Sequence, residues 1–186
     1  MTARPDTGSA TGSVGAAGPA PAVPALVLRA PVLRDAAAIH QLIAACPPLD
    51  LNSEYLYLLL SEHFSRTCVV AQRGEQIDGF ISAYFLPDRP DVLFVWQVAV
   101  HAQGRGQGLG QRMLNHVLQR PAARHTQFVE TTVSPSNGPS RAMFHRLAVT
   151  LGTTLQEFPL LTKDMFGMGT EYEDEKLLRI GPFNLG

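Results

Sequence analysis

Apolar positions along the chain switch between a strand-like and a helix-like period, and the switches predict the elements. Residues 26–30 are a short apolar run that predicts a strand. After Pro31 and Arg34-Asp35, Ile39, Leu42 and Ile43 share one face of a helix that Asp35 is placed to cap and Pro47-Pro48 ends. Asn52 is placed to cap a second helix over residues 53–64, carrying Tyr55, Leu58 and Leu59. Residues 67–72 predict a strand, Gly74 and Asp78-Gly79 a turn, and residues 80–86 its hairpin partner. A loop over 87–91 leads into a long apolar strand, 92–100. Beyond a glycine-rich stretch, Leu109, Met113, Leu114, Val117 and Leu118 recur at helical spacing. A strand over 127–133, a loop, a helix over 140–150 and strands over 153–158 and 177–183 complete the pattern; 160–175 follows neither period. The order βααβββαβαββ predicts an α/β domain, a mixed sheet with helices on its faces.

Composition narrows the classes. The chain has 186 residues, 45% of them hydrophobic, which suits one domain with a sizeable core. Its net charge of −1 argues against a nucleic-acid or membrane surface. No apolar run reaches the length of a membrane span. Residues 1–24 are mostly Ala, Gly, Pro, Ser and Thr and cannot bury enough surface to offset their ordering entropy. They are expected to form a disordered tail ahead of a domain over 25–186. The tail lacks the apolar centre of a secretory signal, so a cytoplasmic location is expected. Cys46 and Cys68 have no CxxC spacing and the histidines no HExxH-type pairing, so neither a disulfide framework nor a metal site is expected.

The chemistry begins at Arg105-Gly106-Gln107-Gly108-Leu109-Gly110, which joins an apolar strand to an amphipathic helix. Glycines permit positive φ and close backbone approach, and amides opening a helix bind anions. Arg105 and Arg112 add positive charge. A P-loop is excluded because no lysine follows these glycines, and neither glycine pair completes GxGxxG. The spacing that fits is [RQ]xxGx[GA], filled by Arg105, Gly108 and Gly110. It resembles the pyrophosphate-binding turn of the GNAT acetyltransferases, whose fold is a mixed, mostly antiparallel central sheet flanked by helices.

That resemblance covers roughly residues 26–158 and implies acetyl-CoA as cosubstrate. It implies that the backbone around Val98 and Val100 receives the pantetheine arm, and that Asn137 belongs to the cofactor site. Many members carry a tyrosine seven residues after that asparagine, able to protonate the CoA thiolate; here Phe144 stands there.

Residues 48–57 (PLDLNSEYLY), 94–98 (FVWQV), 130–137 (ETTVSPSN), 173–175 (EDE) and 179–182 (RIGP) together resemble the L-2,4-diaminobutyrate acetyltransferases of ectoine biosynthesis. The resemblance implies acetylation of the γ-amine and a diamino-acid site lined by Asp50, Tyr55, Trp96, Glu130 and Glu175. Where that family commonly has His, this chain has Tyr172. Similar enzymes are commonly dimers, so a homodimer is compatible with the resemblance.

The residues alone leave alternatives. Glu130 sits within an apolar strand, where a carboxylate is costly without a partner. That partner is a substrate ammonium, for which Glu130 is also the candidate base, or an internal arginine; an outward-facing position is the third reading. Asp50 is the rival base or a turn residue. Trp96 and Tyr55 suit a site or packing, and Glu173 to Glu175 a site or a solvated acidic face. A GNAT enzyme acting on a protein N-terminus, lysine or polyamine, and a non-catalytic acetyl-CoA binder, are the competing functions.

Overall fold

The computed structural model describes residues 24–166 and 173–185. In chain order its elements are β1 (Leu26–Arg29), α1 (Ala36–Ala44), α2 (Glu54–His63), β2 (Val69–Arg73), β3 (Gln76–Leu86), β4 (Arg89–Val100), α3 (Leu109–Leu118), β5 (Phe128–Val133), α4 (Gly138–Thr150), β6 (Leu155–Leu161) and β7 (Glu175–Ile180). This is the order that the periodicity predicts.

The strands form one seven-stranded sheet in the order β1-β2-β3-β4-β5-β7-β6. Every neighbouring pair is antiparallel except β4–β5. α3 and α4 cover one face, enclosing an apolar cluster that includes Ile81, Leu93, Val95, Met113, Leu114, Phe144, Leu147 and Leu178. α1 packs on β3 and β4 across the other face, with α2 beside it; Ile39, Ile43, Tyr57, Phe80 and Ala99 fill that cluster.

Local expectations fail where side chains find competing partners and where strands run further than expected. Asp35 does not cap α1: its carboxylate accepts bonds from the Arg29 guanidinium at 2.6 and 2.8 Å and from the Val32 amide at 2.8 Å. Ser53, not Asn52, occupies the cap position of α2, and the Asn52 amide donates to the Asp50 carbonyl. The β2–β3 turn lies at Gly74, whose φ is +59°, and Asp78-Gly79 fall inside β3. β4 begins at Arg89, so the predicted loop over 87–91 is mostly strand.

Two irregularities of β4 make the site. Ser82 pairs with Gln97 and Ala83 with Val95, so Trp96 is the extra residue of a β-bulge. Bulges re-aim side chains, and this one reverses the strand's facing. Leu93 and Val95 join the α3/α4 cluster before it; Val98 and Val100 pack there after it, while Ala99 joins the other cluster. Pairing of β4 with β5 runs only from Val92↔Phe128 to Phe94↔Glu130. Beyond that point the two parallel strands no longer pair, a splay that leaves residues 96–100 with no strand partner on the β5 side.

Candidate active site

On one side of the splay lies a cleft of about 540 Å³. Val98 and Val100 form one wall, the turn with Arg105, Gly106, Gly108 and Gly110 its end, and Asn137, Ser140, Met143 and Arg146 of the α4 region the other wall. Gly106 and Gly108 have φ of +76° and +72°, and a Cβ added to either would meet nothing within 4 Å. The open space leaves their backbone accessible to a ligand. Gly108 caps α3, whose opening amides have no acceptor within the helix and point a partial positive charge into the cleft. Gly110 serves packing: a Cβ there would lie 2.7 Å from Met143 Sδ.

Arg105 is held over this end by a 3.1 Å bond from its Nε to the Val100 carbonyl. Arg112, expected to add charge, is exposed and does not line the cleft. Arg146 of α4 does, and sequence reasoning missed it because nothing in its neighbourhood marks it. Among the described residues the lining includes no acid. Asn137 caps α4, accepting the Ser140 amide on its Oδ1 at 3.2 Å.

On the other side lies a cavity of about 430 Å³, bordered by Asp50, Trp96, Gln97, Thr131 to Ser134, Phe144, Glu173 and Glu175, among others. Pro48, Leu49, Val98, Asn137 and Ser140 border both spaces, so cleft and cavity share a wall. Among the described residues this second lining contains acids and no Arg, Lys or His. The Asp50 and Glu175 carboxylates have no ion-pair or hydrogen-bond partner among the described residues, whereas Glu173 accepts the Ser136 amide at 3.2 Å. The bulge leaves Trp96 41% exposed, so it is not a core residue.

Two expected residues are not brought into this cavity. Tyr55, near the start of α2, is 66% exposed and lies outside the lining. Glu130 is only 1% exposed, and its carboxylate is gripped by Arg89 through bonds of 2.8 and 2.9 Å, with Arg179 at 3.5 Å. Its charge-assisted hydrogen bonds raise the Arg89 pKa above the guanidinium's ordinary value. The internal arginine pair, one of the alternatives for this strand carboxylate, is the arrangement found. The bidentate grip takes one acceptor site on each carboxylate oxygen and fixes the group against Arg89, away from the cavity. Arg179 also stacks on Phe128, 4.1 Å from the ring centroid. Tyr172 lies outside the described residues. Phe144 is buried where the acceptor cavity meets α4 and offers no proton. Among the described residues no cluster of His, Cys, Asp or Glu is placed to hold a metal ion.

Comparison with known proteins agrees with this geometry. The family model described as acetyltransferase (GNAT) family matches residues 36–148. The L-2,4-diaminobutyric acid acetyltransferase of Bordetella parapertussis is 57% identical over 157 residues, covering 84% of both chains. That of Methylotuvimicrobium alcaliphilum is 44% identical, covering 87% of this chain and 94% of its own. Among solved structures, the diaminobutyrate acetyltransferase EctA from Paenibacillus lautus, in complex with its substrate L-2,4-diaminobutyric acid and coenzyme A, superimposes with a TM-score of 0.84 at 41% identity. The match spans 88% of this chain and 98% of that one.

Proposed function

The chain belongs to the acetyltransferase (GNAT) family and, within it, to the L-2,4-diaminobutyric acid acetyltransferases; on that premise we propose how it works. It transfers the acetyl group of acetyl-CoA to the γ-amine of L-2,4-diaminobutyrate, giving N4-acetyl-L-2,4-diaminobutyrate for ectoine synthesis. The observation that carries this reading is the shared wall at the β4–β5 splay, with a cationic cleft on one side and an acidic cavity on the other.

The phosphates of CoA suit the glycine turn, the α3 amides, Arg105 and Arg146. The pantetheine arm runs along the edge of residues 98–100 that has no β5 partner and brings the thioester to the shared wall. The amino acid, with two ammonium groups and one carboxylate, enters the acidic cavity, where Asp50 and Glu175 attract its cations and the Trp96 ring face offers a further cation site.

A terminal amine of this kind has a pKa of about 10, so it arrives as the ammonium and must lose a proton before it can attack. Asp50 is the acceptor of that proton in this reading, directly or through water. Its carboxylate is unpaired and borders the cavity beside the shared wall. The neutral amine attacks the thioester carbonyl to form the C–N bond; as the tetrahedral oxyanion collapses the C–S bond breaks, and the second proton shed by the nitrogen goes to solvent or to the departing thiolate, which leaves as free CoA. Glu130 holds Arg89 and Arg179 and thereby the floor of the sheet next to Trp96. The tail expected over residues 1–24 lies, apart from Pro24, outside the described residues. A cytoplasmic location and a homodimeric state belong to the same reading, the first from composition and the second from resemblance. No helix among the described residues is long and apolar enough to cross a membrane.

Release of free CoA thiol on adding L-2,4-diaminobutyrate tests the acceptor, with peptide N-termini, lysine and polyamines run beside it. Turnover with diaminobutyrate far above the others is expected. Faster turnover with a peptide or polyamine would replace this acceptor.

A further inference from the structure

Gln97 follows the bulge residue and is 4% exposed, yet it borders the acceptor cavity. Its backbone amide donates to Ser82 Oγ at 3.1 Å. Its side-chain Nε2 donates to the Asp50 carbonyl at 2.9 Å. This second bond fixes which end of the amide is which, because a carbonyl can only accept. The other end, Oε1, is therefore an oriented acceptor, and no protein donor reaches it. A buried carbonyl oxygen without a donor is costly, and one beside a cavity is served by a water or by a donor that arrives with the ligand and displaces it.

We propose that Gln97 Oε1 accepts a hydrogen bond from the acceptor amine, and so selects the diamino acid whose chain length puts that amine on the thioester. The inference rests on the acceptor reading above. The chemistry favours an amide here over another carboxylate. A carboxylate touching the amine stabilises the ammonium and raises its pKa, which opposes the deprotonation that attack requires. The carbonyl of an amide accepts from the ammonium and from the neutral amine alike, so it keeps the nitrogen in place while Asp50 removes the proton. Since Gln97 is tied to the Asp50 backbone, the orienting acceptor and the base move as one unit.

The test measures kcat and KM for L-2,4-diaminobutyrate, the shorter L-2,3-diaminopropionate and the longer L-ornithine in wild type, Q97M and Q97E. Losing one hydrogen bond to a charged group should cut kcat/KM for diaminobutyrate about ten- to hundredfold more than for the other two in Q97M, on top of a smaller loss common to all three from the lost Nε2 tie to Asp50. The KM for acetyl-CoA should hold. Q97E keeps an oxygen towards the amine but loses the Nε2 donor to the Asp50 carbonyl; the preference for diaminobutyrate should persist, with the alkaline rise in kcat displaced to higher pH. A purely structural Gln97 would give parallel losses for all three diamino acids together with a raised acetyl-CoA KM, because residues 46–49 also border the cofactor cleft. That pattern, or unchanged chain-length selectivity in Q97M, overturns the inference. If Q97M does not fold, Q97E decides alone: collapsed selectivity with no shift of the pH profile overturns it. Wild-type enzyme that turns over diaminobutyrate while Gln97 proves silent sinks this inference only; wild type inactive on all three sinks the acceptor reading with it.

Discussion

The cofactor cleft and the acceptor cavity lie against one wall and are built on opposite principles. The cleft is made largely of backbone: a contiguous turn with two glycines at positive φ, the opening amides of α3 and a strand edge freed by the splay. Its charged side chains are arginines. The cavity is made of side chains delivered by the α1–α2 loop, the β4 bulge, β5 and the segment entering β7, and its charged groups are acids. A backbone site serves a cosubstrate whose phosphates and pantetheine are common to many enzymes. A side-chain site lets the acceptor change without disturbing that machinery. The opposite charge signs also steer each ligand to its own side, since the phosphates are repelled from Asp50 and Glu175 and the ammonium groups from Arg105 and Arg146.

The contrast can be broken one side at a time. The largest effect is expected from Asp50→Asn, which keeps shape and removes the unpaired carboxylate. As the loss of a base, it should lower kcat with diaminobutyrate about 10²- to 10⁴-fold, with partial recovery at high pH and little change in acetyl-CoA KM. A wild-type kcat from pH 7 to 9 would take Asp50 out of the chemistry. Next comes Gly108→Val, which forces a β-branched residue to a φ of +72°. Strain of about 1–3 kcal/mol and the displaced amides should weaken acetyl-CoA binding about ten- to hundredfold while the amine KM stays within about twofold. Calorimetric titration with CoA checks this, and equal weakening of both ligands would erase the division between the regions.

Glu130→Gln should act on neither ligand first but on the fold. It strands Arg89 and Arg179 without their carboxylate, at a cost of about 1–3 kcal/mol because Arg89 is partly solvated, which lowers the melting temperature by roughly 3–10 °C. An unchanged melting temperature with a collapsed kcat/KM would return Glu130 to the catalytic role. The smallest effect concerns Asp35, remote from both spaces. Burial raises its pKa, but the bonds from Arg29 and Val32 outweigh this and the net shift is downward. A carboxylate depressed on folding stabilises above its unfolded pKa of about 3.9 and loses that contribution as pH falls through the folded value. Asp35→Asn should therefore narrow its stability gap to wild type in acid, read by denaturant midpoints at pH 7 and 3. A gap that widens in acid would contradict the sign.

The sequence made the cleft more legible than the cavity, for a physical reason. A phosphate-binding turn is written in consecutive residues, so Arg105, Gly108 and Gly110 announce it. The helix after it shows in the spacing of Leu109, Met113 and Val117. Arg146 belongs to the same cleft but enters from α4, with no local mark. On the acceptor side, Asp50, Trp96 and Glu175 followed from resemblance, because a one-residue bulge at Trp96 depends on the register against β3 and leaves no trace in β4's own pattern. Glu130 shows the limit most clearly. Its place in an apolar strand demanded a partner, and that partner is Arg89, 41 residues earlier in the chain, brought alongside only by the β4–β5 pairing. Asp35 and Asn52 read as helix caps although their competitors are close in the chain: Arg29 and the Asp50 carbonyl lie six and two residues away, and only the fold of the intervening turns decides which bond forms.

In this mechanism the terminal amine of L-2,4-diaminobutyrate meets the thioester across the splayed strands. Incubating the enzyme with acetyl-CoA labelled with ¹³C at the acetyl carbonyl, and following the product by ¹H–¹³C correlation NMR, reads that meeting directly. A single amide is expected, its carbonyl carbon coupled to the γ-methylene protons, the signature of N4-acetyl-diaminobutyrate, formed in step with free CoA. A carbonyl coupled to the α-proton would mean that the other amine reaches the thioester and that the cavity holds the substrate the opposite way round.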